Sequence, residues 1–331
     1  MPTCLSRGLF SLVASVLWVG CVTTTGAGEV KRTLLQFEPS SVKSGWSRVR
    51  TAQFELHTDL TPALAERAAL LLTQSLGGLE AMFARIPRVG ENRLTIIAMS
   101  DSGEFERRFG KRLAGFAISS REDTTVCVYG PPDRWFERQS PNYEGVSSVL
   151  QHELAHAVLR SYFPRQPRWF AEGLAQYIET ARWVDAETLL LNEPNLEAYQ
   201  KYNLVRSLQM SDLLAWDKIE AAQKRETGMY GLSWAFVHYA LNREPEVFGT
   251  FMSRLRSEEP ETAWKETFGG RGDALDKAIH AYMKVGEYRQ GAMKLPLGTP
   301  AATRVEPGDE PLVNALLSSF EQALKGAQKE P

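Results

Sequence analysis

Residues 152–156 read His-Glu-Leu-Ala-His, the clearest chemical signal in the chain. Positions four apart on a helix share one face, so His152 and His156 can direct both imidazoles at a single ion. Glu153, next to the first of them, projects slightly off that axis, where its carboxylate can hold a water and take its proton. Zinc lowers the pKa of a water it binds to about 7, and a carboxylate base beside that water suits hydrolysis of a carbonyl compound. The surroundings favour a helix: Val146, Val149, Leu150, Leu154, Ala157 and Val158 flank the motif, with no Pro or Gly between 146 and 163. Two of the five histidines fall in this otherwise apolar segment, where buried imidazoles need partners. Ser148 and Gln151 are spaced for a capping box at its start.

A catalytic zinc needs a third protein ligand and one open position. After Pro167, residues 168–179 (RWFAEGLAQYIE) restart a helix with Glu172 expected in its first turn. An antiparallel return over a short loop would bring Glu172 beside the histidine pair. Glu179 and Asp185 are rival ligands further along. A closed structural site would more usually employ Cys and would leave Glu153 without a role. One zinc per chain is the expected cofactor.

The run His152-Glu153-Leu154-Ala155-His156, followed by Trp169-Phe170-Ala171-Glu172-Gly173-Leu174-Ala175-Gln176-Tyr177, resembles the gluzincins. These are zinc peptidases related to thermolysin and the neutral aminopeptidases; the chain is most similar to the short peptidase-MA-like domains. The resemblance implies a zincin-like fold, with His152, His156 and Glu172 as ligands and Glu153 as general base. Its specific part covers roughly residues 145–182, and a looser likeness reaches back to about residue 50. The metzincin pattern needs Gly and His where this chain has Leu159 and Tyr162, so it is excluded. Gluzincins also employ a Tyr or His donor against the oxyanion. By that resemblance Tyr230, in the aromatic-rich run 229–241, is the candidate catalytic donor, with His238 behind it. The strand at Thr124–Tyr129 is expected to offer an edge that pairs with an extended peptide.

The elements that must position these groups fall into an α+β arrangement: a small N-terminal mixed-sheet lobe over residues 46–140, then a mostly helical lobe over 141–285. Strands are expected at 51–58 and 93–99, a hairpin at 115–119 and 124–129 turning at 121–123, and helices at 63–84 and 104–109. Gly77-Gly78 weakens the first of these helices. The helical lobe is expected to hold helices at 146–162, 169–183, 229–241, 247–255 and 273–283. Residues 286–311 are Gly- and Pro-rich and read as a linker before an amphipathic C-terminal helix carrying Leu312, Val313, Leu316, Leu317, Phe320 and Leu324. His57, His280 and Cys127 read as structural residues, as do Trp169, Phe170, Tyr177 and Trp183.

Residues 1–21 read as an export signal: Arg7, an apolar run Gly8–Gly20 too short for a stop-transfer span, then Cys21. Leu17-Trp18-Val19-Gly20-Cys21 resembles a bacterial lipobox, which implies lipidation at Cys21, a membrane anchor and an extracytoplasmic location. Trp18 departs from the leucine preferred there, and a plainly cleaved signal or an uncleaved anchor are the alternatives. Residues 22–45 are expected to be a tether. The remaining Cys127 permits no internal disulfide. A hydrophobic share of 43% and a charged share of 24% fit a soluble globular body, and a net charge of −2 gives no basic excess for nucleic acid. Two functions fit: a peptidase acting on a peptide or protein substrate, or a non-catalytic gluzincin-fold module for binding or assembly.

Overall fold

The computed structural model describes residues 42–327, apart from 90–92, 111–114, 120–122, 131–133, 142, 219–222, 287 and 296–303. The chain runs β1 (Val42–Arg50), β2 (Phe54–Leu60), α1 (Pro62–Met82), β3 (Arg93–Met99), α2 (Ser102–Phe109), β4 (Gly115–Ser119), β5 (Asp123–Tyr129), β6 (Phe136–Ser140), β7 (Tyr143–Val146), α3 (Ser148–Tyr162) and α4 (Arg168–Ile178). It continues through β8 (Arg182–Trp183), β9 (Thr188–Leu191), α5 (Leu196–Leu204), α6 (Met210–Leu214), α7 (Gln223–Arg243), α8 (Pro245–Leu255), α9 (Pro260–Phe268), α10 (Gly272–Val285), β10 (Gly291–Lys294), β11 (Arg304–Pro307) and α11 (Glu310–Ala327). This is the α+β class expected.

The main sheet has the order β11-β1-β2-β3-β5-β4, with β2, β3 and β5 parallel and the others antiparallel to their neighbours. β3 buries both faces, as a central parallel strand must. Leu56, Ile96 and Val126 face α1 and α3 in the larger core, which runs on without a break into α4, α7, α8 and α10. Ile97, Phe116 and Cys127 face the other way, under α2 and Val313, Leu317 and Phe320 of α11. The C-terminal helix is therefore a cover for the second face of the sheet.

Several expectations are corrected. β5 lies inside the sheet between β3 and β4, so the free edge beside α3 is β4 and not Thr124–Tyr129. The stretch 286–311 carries two strands: β10 pairs with β9, and β11 pairs with β1. β1 itself begins at Val42, inside the expected tether, because its backbone completes the sheet. Gly77-Gly78 does not interrupt α1: a Cβ on Gly78 would stand 2.8 Å from Cζ2 of Trp183, so the glycine admits the small β10-β9-β8 sheet against the helix. The helix expected at 169–183 stops at Ile178, where Gln151 Nε2 donates to the carbonyls of Ile178 (2.7 Å) and Ala181 (2.6 Å). The shorter strands and the helices α5, α6 and α9 are too brief or too polar for periodicity to reveal. Cys21, the expected export signal and residues 121–122 of the expected hairpin turn lie outside the described residues. Among the described residues, no helix is long and apolar enough to cross a membrane.

Candidate metal centre

α3 is capped by Ser147, whose hydroxyl accepts from the Leu150 amide at 3.4 Å. The box expected from Ser148 and Gln151 does not form, since the Gln151 side chain is buried and committed to the end of α4. Leu150, Leu154, Ala157 and Val158 are buried, which turns the opposite side of the helix, with His152, Glu153, His156 and Arg160, toward a cleft of about 710 Å³. α4 returns after a short loop as expected. Glu172, however, falls in the second turn, with no acidic residue in the first, so a favourable charge at the helix start does not account for it.

Gly173, beside it, sets the depth of α4. A Cβ there would stand 2.6 Å from the Ser233 carbonyl oxygen and 2.7 Å from Cγ2 of Val237, both on α7. The close crossing brings Tyr230 of α7 to the same cleft.

His152, His156 and Glu172 form a three-residue cluster able to hold a metal ion. Nε2 of His152 is 3.1 Å from Nε2 of His156; Oε2 of Glu172 is 3.4 Å from the first and 3.6 Å from the second. Ligands at zinc bond lengths in a tetrahedron are about 3.3–3.4 Å apart. The donor set therefore fits a tetrahedral ion with one position left over. Both imidazoles keep 19% of their side-chain surface exposed and Glu172 keeps 17%, enough for that position to open on the cleft.

Glu179, weighed as a rival ligand, takes a different place. Its Oε2 lies 2.6 Å from Nδ1 of His152, the nitrogen facing away from the cluster, and so fixes the ring's tautomer and orientation. Its other oxygen accepts from Asn195 Nδ2, which also donates to the Gln176 carbonyl at 3.1 Å; Asn195 Oδ1 caps α5 through the Ala198 amide. Glu179 stands seven residues, two helical turns, beyond Glu172, a spacing that could have revealed it. Asn195 left only a helix-cap signal, because its other partners, Gln176 and Glu179, are distant in sequence.

Burial alone would lower the His152 pKa, but the carboxylates of Glu172 and Glu179 overcome it and raise it to about 10 in the metal-free protein. Burial would likewise raise Glu172, yet the two imidazoles beside it hold it well below the usual carboxylate range. Without metal, the cluster stores a proton shared with its carboxylates. Glu153 is raised, by burial first and then against the two imidazoles, with Glu172 and Glu179 adding to the rise.

The Tyr230 phenol accepts a hydrogen bond from Arg168 Nη2 at 3.0 Å, which leaves its own O–H free to donate. Burial, then Glu172, raises its pKa against the opposing Arg168, so the hydroxyl keeps its proton at neutral pH. Arg168 is itself held by Glu226 at 2.7 Å and stacks 4.3 Å from the centre of the Trp216 ring. His238 is not at the cleft: it is buried with Nδ1 2.8 Å from the Tyr282 hydroxyl, and burial lowers its pKa to about 4. Its place as a second donor is thereby withdrawn. Cys127 is buried, and burial pushes its thiol far up, as suits an inert core residue. Trp169 packs against Phe236, Phe251 and Trp264, as a core aromatic should.

β4 closes the cleft above α3. Gly115, Ala117 and Ser119 line it, and a Cβ on Gly115 would stand 3.4 Å from Cγ of Glu153. Residues 146–261 match a family model described as "Protein of unknown function (DUF1570)". That stretch contains the whole cluster together with Glu179, Asn195 and Tyr230. A comparison with curated proteins gave no match.

Proposed function

We propose that the protein is a zinc-dependent metallopeptidase, with His152, His156 and Glu172 as ligands, Glu153 as general base and Tyr230 as oxyanion donor. The observation that carries this reading is the near-tetrahedral spacing of three donors, with the carboxylate of Glu153 lining the same cleft. A zinc ion there would supply Lewis acidity, polarising a substrate carbonyl and making water acidic enough to react near neutral pH.

The remaining work falls to the chain's own groups. Glu153, its carboxyl raised by burial, takes the proton from the attacking water and returns it to the leaving amine. Tyr230 donates its free O–H to the carbonyl oxygen as charge develops on it. β4 pairs its unshared backbone groups with an extended peptide, which binds main chain without demanding one sequence. Glu179 keeps His152 aimed. The substrate class is accordingly a peptide or protein; a net charge of −2 gives no basic excess for nucleic acid. The export signal and the lipobox-like Cys21 support an extracytoplasmic, lipid-anchored location.

Incubating zinc-loaded protein spanning residues 30–331 with a peptide library, and reading products by mass spectrometry, tests this. Cleavage is expected, and Glu153→Ala should abolish it while zinc stays bound. Fully zinc-loaded protein that leaves the whole library intact would overturn the peptidase reading in favour of a binding module.

A further inference from the structure

We infer that Arg160 selects substrates carrying an acidic side chain on the N-terminal side of the bond that is cut. The inference rests on the peptidase reading for the direction of the chain in the cleft, and on the cleft's own charges for the chemistry.

Arg160 lies on α3 one turn beyond His156, half-buried, and lines the same cleft. The other arginines of this region have acids: Arg165 pairs with Glu259 at 3.3 Å and Arg168 with Glu226 at 2.7 Å. Arg160 instead donates from Nη1 to the Pro164 carbonyl at 2.6 Å. That bond anchors the guanidinium without neutralising it, and no carboxylate pairs with it among the described residues. Apart from the general base Glu153, the other charges lining the cleft are already matched. Glu197 and Lys201 pair with each other at 2.8 Å, while Glu172 and Glu179 are engaged by the imidazoles. One anchored, unmatched guanidinium in a partly desolvated cleft is suited to a carboxylate, which it can grip with paired N–H groups.

The direction follows from β4. Gly115 pairs with Val128, and Val128 and Tyr129 share a second cavity with Ser148 and Val149 at the start of α3. β4 therefore begins beside the start of α3 and runs away from it, and Ser119, at its far end, shares the cleft with Arg160. A peptide pairing antiparallel with β4 places its N-terminal residues there.

The test measures binding by fluorescence anisotropy in the zinc-loaded Glu153→Ala background. Peptides containing Asp or Glu are compared with otherwise identical ones containing Asn or Gln. An acid-to-amide affinity ratio of roughly tenfold or more is expected, the size of one charge-assisted hydrogen bond. Adding Arg160→Gln should bring it to about one, and Arg160→Glu should favour Lys-containing peptides. A ratio near one before the Arg160 change, or one that Arg160→Gln leaves intact, overturns the inference. Unmutated protein that binds acidic peptides through Arg160 but never cuts them would defeat the peptidase reading alone. Where it does cut, an acid found C-terminal to the cleaved bond would overturn the assigned side.

Discussion

Glu179→Gln keeps the size of the side chain and removes its charge. In the folded protein Oε2 stands 2.6 Å from His152 Nδ1, while Oε1 accepts from Asn195. Both partners are donors, and a glutamine has one oxygen to offer between them. Its amide nitrogen must then face either the imidazole N–H or the Asn195 amide. The loss is one charge-assisted hydrogen bond plus a donor–donor contact, about 1.5–3 kcal/mol if it falls wholly on the metal-competent form. That corresponds to roughly 10–150-fold weaker metal binding, in line with the 10–100-fold typical when a ligand's orienting partner is lost. Glu172→Ala should weaken binding further, because it removes a proposed ligand itself. Competition against a chromophoric zinc chelator measures both variants on one scale. Unchanged affinity in Glu179→Gln would show that this contact does not orient His152. A loss as complete as that of Glu172→Ala would make Glu179 a ligand and refute the assignment.

Tyr230→Phe should keep its zinc and lower kcat by about 10²–10³-fold, the usual effect of losing one oxyanion donor; full turnover would remove Tyr230 from the mechanism. Zinc binding should tighten as pH rises toward about 10, since His152 must give up the proton that its carboxylates hold in the metal-free protein; titrations at several pH values that show no proton release would contradict this. Metal-free protein should lose stability as pH falls from about 6.5 to about 4, because the unfolded chain protonates His238 before the folded one does. The full span is about 3 kcal/mol, and urea unfolding should show a shallower pH slope in His238→Gln than in the unmutated protein. Gly173→Ala should destabilise by about 1–3 kcal/mol by driving a methyl into Ser233 and Val237, and should also weaken zinc binding; a thermal melt matching the unmutated protein would refute the close crossing.

The cluster of His152, His156 and Glu172 was legible because its signals are local. His152 and His156 share a helical face, and Glu172 follows on the next helix, so periodicity and one short loop bring the three together. The cleft roof was misjudged for a physical reason: β4 and β5 both alternate acceptably, and which is the edge depends on β5 pairing with β3, a contact between distant segments. The strands β10 and β11 were hidden by their Gly- and Pro-rich setting. Their pairing with β9 and β1 is decided by backbone hydrogen bonds available only after the rest has folded. Gly78 looked like a helix weakness until Trp183 supplied its reason. Asn195 caps α5 at ordinary N-cap spacing, but its tie to Glu179, sixteen residues earlier, is a contact that no spacing rule encodes.

The central claim is that His152, His156 and Glu172 together hold one zinc ion. Elemental analysis of purified protein spanning residues 30–331, beside His156→Ala and Glu172→Ala, measures it directly. Near one zinc per chain in the unmutated protein, lost in both variants, is the expected result. Folded protein that takes up no zinc on reconstitution, or variants that keep it in full, would contradict the account.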